Sequence, residues 1–169
     1  ISGDLNNNSN YTPNINMTGG GTVVDLASGK LVMNNLNIVG NSEIVEVTGS
    51  GDAFISNCNL ENTGGVAIAI SNGIQSLISI KDSTIIGNGS AVITTGNGTG
   101  TATPNILILD NSTIIMDDAG DIITAASGGA NNGDLVIQMN ATLLWADSAD
   151  AVNSINVTSA SSGEVYLEP

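Results

Sequence analysis

The sequence predicts an all-β chain wound as a right-handed single-stranded parallel β-helix, with three short strands per coil and about six coils. Three observations carry this. First, one pattern recurs: an apolar strand, an Asn or Asp head, two residues, then Ile or Leu. Its heads are Asn35, Asn57, Asp82, Asn111 and Asn140, spaced by 22, 25, 29 and 29 residues, a period in the range of solenoid repeats. Second, Gly, Asn and Asp turns fall at equivalent places in every unit, so like strands should stack, whereas a sandwich needs hairpins with tight turns. Third, β-branched residues and period-two alternation dominate, which disfavours helices.

The elements follow in order. Looser repeats begin near residue 13, and each head is then preceded by a strand, at 31–33, 54–55, 77–80, 106–109 and 135–137. After each turn a further strand is expected, at 44–47, 66–70, 91–94 and 121–124. Variable Gly/Asn/Ser/Thr loops, such as 96–105 and 127–134, close the units. Stacking at about 4.8 Å per coil makes a rod on the order of 30 Å long. One domain, residues 1–169, fits the length, and 41% hydrophobic content can close a core. Aromatics are only 2% of the chain, so that core must be aliphatic.

Alternation assigns the faces. Leu36, Cys58, Ser83, Ser112 and Ala141 form one expected inward column, and Ile38, Leu60, Ile85, Ile114 and Leu143 another, because side chains two apart share a face of a strand. Between them Asn37, Asn59, Thr84, Thr113 and Thr142 should point outward as a ladder of hydrogen-bonding groups. Such a ladder can hold an identical rod side by side or bind glycans. Asn and Asp at the heads suit left-handed corners, and stacked amides can bond along the axis. Ile86, Ile115 and Leu144 directly follow the inward column. A chain bend that brings them into the core is favoured over a straight strand that would leave them as an exposed stripe beside Trp145.

Composition excludes several functions. Sixteen acidic residues stand against two basic ones, Lys30 and Lys81, for a net charge of −14, so no basic stripe exists for nucleic acid. Without His, the usual zinc sites and the Ser-His-Asp triad lose a required member. Cys58 is alone, which rules out an intramolecular disulfide. No apolar run approaches a membrane span. Neither a cofactor nor a metal is expected. Polysaccharide lyase chemistry needs basic residues that are scarce here. Lys81 and Asp110 each precede a head and should pair across adjacent coils, an interaction worth roughly 0–1 kcal/mol. Asp118 and Asp121, offset by one repeat from Asp147 and Asp150, suggest an acidic ladder. A solvated edge is the favoured reading of it, ahead of a calcium site or a glycosidase pair.

The C-terminal end resembles a known family. Asn140-Ala-Thr-Leu-Leu-Trp145 is followed by Asp147-Ser-Ala-Asp-Ala-Val152, Ser154-Ile-Asn-Val157, a Ser-rich turn and Gly163-Glu-Val-Tyr-Leu167. This order is similar to the end of pertactin-like autotransporter passenger domains, with Leu143 standing where the family usually places Trp. The resemblance implies a right-handed β-helix that is surface-exposed or secreted by a Gram-negative bacterium and was exported with an outer-membrane translocator barrel of the same precursor. It also implies that residues 135–169 match the family's folding-seed segment. Beginning at Ile1, the chain reads as a piece of a longer protein. A stack lacking disulfides can pass a narrow pore unfolded and fold progressively. The expected function is a non-enzymatic adhesin or self-association rod. A purely structural stalk is the alternative, and a carbohydrate-active β-helix enzyme comes third.

Overall fold

A computed structural model describes residues 14–71, 73–96, 104–127, 134–146, 154–159 and 164–169. The first coil comprises β1 (Asn14–Asn16), β2 (Val24–Leu26) and β3 (Gly29–Asn34). The second has β4 (Asn37–Gly40), β5 (Val45–Val47) and β6 (Gly51–Ser56), the third β7 (Asn59–Asn62), β8 (Ile68–Ile70) and β9 (Leu77–Lys81). In the fourth lie β10 (Thr84–Gly87), β11 (Ala91–Gly96) and β12 (Asn105–Asp110), and in the fifth β13 (Thr113–Met116), β14 (Asp121–Ser127) and β15 (Leu135–Asn140). The sixth coil carries β16 (Leu143–Ala146), β17 (Ile155–Ser159) and β18 (Val165–Glu168). Like strands pair in parallel into three six-stranded sheets: β1-β4-β7-β10-β13-β16, then β2-β5-β8-β11-β14-β17, then β3-β6-β9-β12-β15-β18. This is the right-handed parallel β-helix that the repeats predict.

Alternation along each strand sends every second side chain into a shared interior. Leu36, Cys58, Ser83 and Ser112 are buried, and Ile38, Leu60, Ile85 and Ile114 are fully so. Their registers superpose them: Ile38 on Leu60, Leu60 on Ile85, Ile85 on Ile114. Parallel columns run inside the other sheets, among them Ala53, Ile78, Leu107 and Ile137. Each side chain is therefore covered by its counterparts above and below, and burying one such aliphatic group contributes about 1.5–3 kcal/mol.

Two sequence expectations about this sheet are corrected. The first concerns the bend at Ile86 and Ile115. Both β10 and β13 alternate without a break, with Gly87 and Met116 inward again, so Ile86 and Ile115 stay on the outer surface, half-buried. The second concerns the last corner. Asn111 bonds Asp82 across 29 residues, but Asn140 bonds Asp110 across 30. One extra residue in this coil shifts everything after it. Ala141, not Asn140, takes the corner position with φ 47°, and it is exposed. Leu143 turns outward and is 55% exposed, while Leu144 stacks on Ile114 and packs against the core. Because side-chain direction alternates with every residue, a slip of one exchanges the two faces.

The turn between the first and second sheets is stacked as tightly as the strands. A Cβ on Gly120 would lie 2.3 Å from the Gly89 carbonyl oxygen, and one on Gly89 would lie 2.8 Å from the Gly65 backbone. Only glycine lets these turns approach at the coil spacing.

Two stability measurements test this account. Ile85→Ala and Ile114→Ala should each lower urea-unfolding stability by about 2–5 kcal/mol. Ile86→Ala and Ile115→Ala, one residue on, should stay within about 1 kcal/mol. Ala141→Gly should instead raise stability by about 1 kcal/mol, because the left-handed corner penalises a Cβ. A loss on that substitution would mean that residue 140 turns the corner.

Candidate functional site

The candidate surface is the outer face of the first sheet, and it is assembled by its corners. Entering it, each coil from the second to the sixth turns through one residue with positive φ: Asn35 (55°), Asn57 (52°), Asp82 (49°), Asn111 (46°) and Ala141 (47°). Asn and Asp tolerate this conformation better than other non-Gly residues. The backbone ladder continues through the corner, with Asn57 N–H donating to the Lys81 carbonyl at 3.1 Å and Asp82 N–H to the Asp110 carbonyl at 3.0 Å.

Directly behind the corner runs a chain of hydroxyls that sequence reasoning classed only as inward. Ser83 Oγ donates to its own Lys81 carbonyl at 2.7 Å and accepts from Cys58 N–H at 3.1 Å. Ser112 Oγ repeats this, donating to the Asp110 carbonyl at 2.8 Å and accepting from Ser83 N–H at 3.3 Å. Each buried hydroxyl thus satisfies an N–H of the preceding coil, which would otherwise cost about 1–3 kcal/mol. The recurring Ser or Thr after the head was the available signal. Cys58 Sγ occupies the equivalent place, donating to the Ser56 carbonyl at 3.1 Å, and burial pushes its thiol up from the ordinary range. In the sixth coil the extra residue puts Thr142 here. Its Oγ1 donates to the Leu109 and Asn140 carbonyls at 3.0 and 3.1 Å. Thr142 therefore leaves the outward column in which the sequence placed it.

The outward column reads Asn14, Asn37, Asn59, Thr84, Thr113 and Leu143. Beside it run Asn16, Val39, Glu61, Ile86, Ile115 and Trp145. In the first coils the amides are spent on one another: Asn37 Nδ2 donates to Asn14 Oδ1 at 2.6 Å, and Asn59 Nδ2 to Asn37 Oδ1 at 2.9 Å. Asn37 and Asn59 thus hold the coils together as much as they face solvent. Past Glu61 both columns become uncharged and increasingly apolar, through Thr84, Ile86, Thr113 and Ile115 to Leu143 and to Trp145, which is 46% exposed. Exposed aliphatic and indole groups side by side are suited to being covered by another surface.

Of the expected acidic ladder, Asp118 and Asp121 lie among the described residues. Asp118 is exposed and caps its own turn, accepting from Ala119 N–H at 2.7 Å. Asp121 Oδ2 accepts from Thr124 Oγ1 at 3.2 Å and from Asn156 Nδ2 at 2.6 Å, so it fastens β14 to β17. Asp147 and Asp150 lie outside the described residues. Among the described residues no three His, Cys, Asp or Glu side chains gather as a metal site. Lys81 Nζ does meet Asp110 Oδ2, at 3.3 Å, and with Lys81 half-exposed the pair contributes roughly 0–1 kcal/mol.

Cys58 provides a test of this corner. Its thiol should resist a disulfide-exchange reagent in the folded protein and react on unfolding, since only the thiolate attacks. Rapid labelling under native conditions would contradict its burial. Compared with protein-family models, curated proteins and solved structures, the chain matches none of them.

Proposed function

We propose that this chain is a non-enzymatic β-helical rod that acts in adhesion or self-association, surface-exposed on or secreted by a Gram-negative bacterium in the manner of autotransporter passengers. The observation that supports it best is the uncharged outer face of β10, β13 and β16. There Ile86, Ile115, Leu143 and Trp145 lie in a flat array, on a chain whose net charge is −14. Charges elsewhere keep such a rod soluble, while a flat aliphatic and indole surface gains by being covered. A matching rod or a host-surface glycan fits that surface, since each can lie along it. The export route rests on the resemblance of residues 140–167 to passenger C-termini and on a stack that needs no disulfide.

A structural stalk is the second reading, and one observation favours it. Val157 and Leu167 stack on Ala125 and Ile137, both buried, yet are themselves 48% and 54% exposed. That end of the rod offers another β-helical rung the same aliphatic columns that each coil offers the next.

Light scattering across protein concentration, together with binding to a glycan array, separates the two. Adhesion or self-association predicts that Ile115→Asp or Trp145→Ser weakens the interaction by about tenfold or more, with circular dichroism unchanged. A strictly monomeric chain that binds no glycan would leave the stalk.

A further inference from the structure

A cleft lies away from the outer face of the first sheet, where the connections from the second sheet enter the third. Three successive coils line its volume of about 360 Å³. Ser50 and Asp52 come from the second coil, Gln75 and Leu77 from the third, Pro104 and Ile106 from the fourth. Leu77 and Ile106 are register partners on β9 and β12, both half-buried. With Pro104 they supply an apolar wall.

Among the described residues, Asp52 is the one ionisable group in that lining. Its Oδ1 accepts from Leu77 N–H at 3.0 Å, which fixes the carboxylate across the gap between coils. No hydrogen bond to its Oδ2 is found among the described residues. Lys30 is its register partner on β3, but the Lys30 ammonium sits over the Phe54 ring, 4.3 Å from its centroid. The ion pair formed among the described residues is Lys81–Asp110, so Lys30 makes no direct ion pair with Asp52. Ser50 and Gln75 add a hydroxyl and an amide to the rim.

We infer that this cleft receives a lysine or arginine side chain of a basic polypeptide partner. A long methylene stem ending in a cation covers apolar surface along its length and keeps its charge for the tip. Leu77, Ile106 and Pro104 match the stem; Asp52 Oδ2, with the Gln75 and Ser50 oxygens, matches the tip. A phosphate or uronate would meet a carboxylate with no cation in the lining to offset it. The net charge of −14 draws basic partners toward the rod from a distance, and the cleft supplies the local fit. This inference is independent of the outer face of the first sheet.

The test is fluorescence anisotropy of a labelled lysine-rich decapeptide, blocked at both ends, titrated with the full chain at about 0.15 M salt, where long-range attraction is largely screened. Asp52→Asn keeps an oxygen for Leu77 N–H but removes the charge, and it should weaken binding about tenfold. Asp118→Asn removes the same charge at a distance and should change affinity less than about twofold. Ile106→Ser should weaken binding through the stem, and Lys30→Gln should strengthen it by removing a competing cation. Equal effects of Asp52→Asn and Asp118→Asn, no peptide binding at all, or displacement of the peptide by a neutral oligosaccharide would each overturn the inference.

Discussion

Aliphatic side chains stacked on their own counterparts, coil upon coil, are the interaction on which everything else here depends. Ile38, Leu60, Ile85 and Ile114 form one such column, fully buried, and each is shielded from water by neighbours of its own kind. The chain has neither disulfides nor a large aromatic core to substitute for this, with aromatics at 2% and a single cysteine. Hydrophobic burial scales with area removed from water, and stacking removes both sides of each aliphatic layer. Parallel ladders between coils then satisfy the backbone.

The corner before the first sheet is where this arrangement becomes exacting. A left-handed residue must sit there, and the N–H that follows it points into the interior. The hydroxyls of Ser83 and Ser112 resolve the conflict by accepting that N–H from the preceding coil and donating to the carbonyl just before their own corner. Side-chain amides on the outside, such as Asn111 to Asp82 and Asn140 to Asp110, repeat the linkage in solvent. Polar residues at this edge therefore serve mainly to permit close stacking, which is why so Asn-rich a surface need not be a ligand site.

Much of this was legible in the sequence because stacking imposes a period. The heads, the two inward columns and the Lys81–Asp110 pair all follow from one alignment of the units. What failed is local. The fifth unit was aligned at 29 residues because Asn140 resembles the earlier heads, whereas the backbone passes one residue further to Ala141. Asn140 was a plausible corner residue and Ala141 a poor one, so propensity pointed the wrong way, and continuity of the ladder decided. Ala141, expected inside, is exposed, while Thr142 and Leu143 exchange sides as a result. The cleft at Asp52 was invisible for a different reason: its lining residues come from three coils and share no motif. The bend expected at Ile86 and Ile115 failed because the strand runs on to bring Gly87 and Met116 inside.

Paired apolar residues in the last three strands of the first sheet, Ile85–Ile86, Ile114–Ile115 and Leu143–Leu144, have a consequence for how such a chain diversifies. Either member of a pair can fill the interior, so the extra residue, which the registers place in the turn between β13 and β14, costs the core little. Outside, the same insertion replaces one set of displayed groups by another, as the sixth coil demonstrates by presenting Leu143 and Trp145 in line with Thr113 and Ile115. Length changes that would ruin most folds become, in this one, a cheap means of rewriting what neighbours encounter.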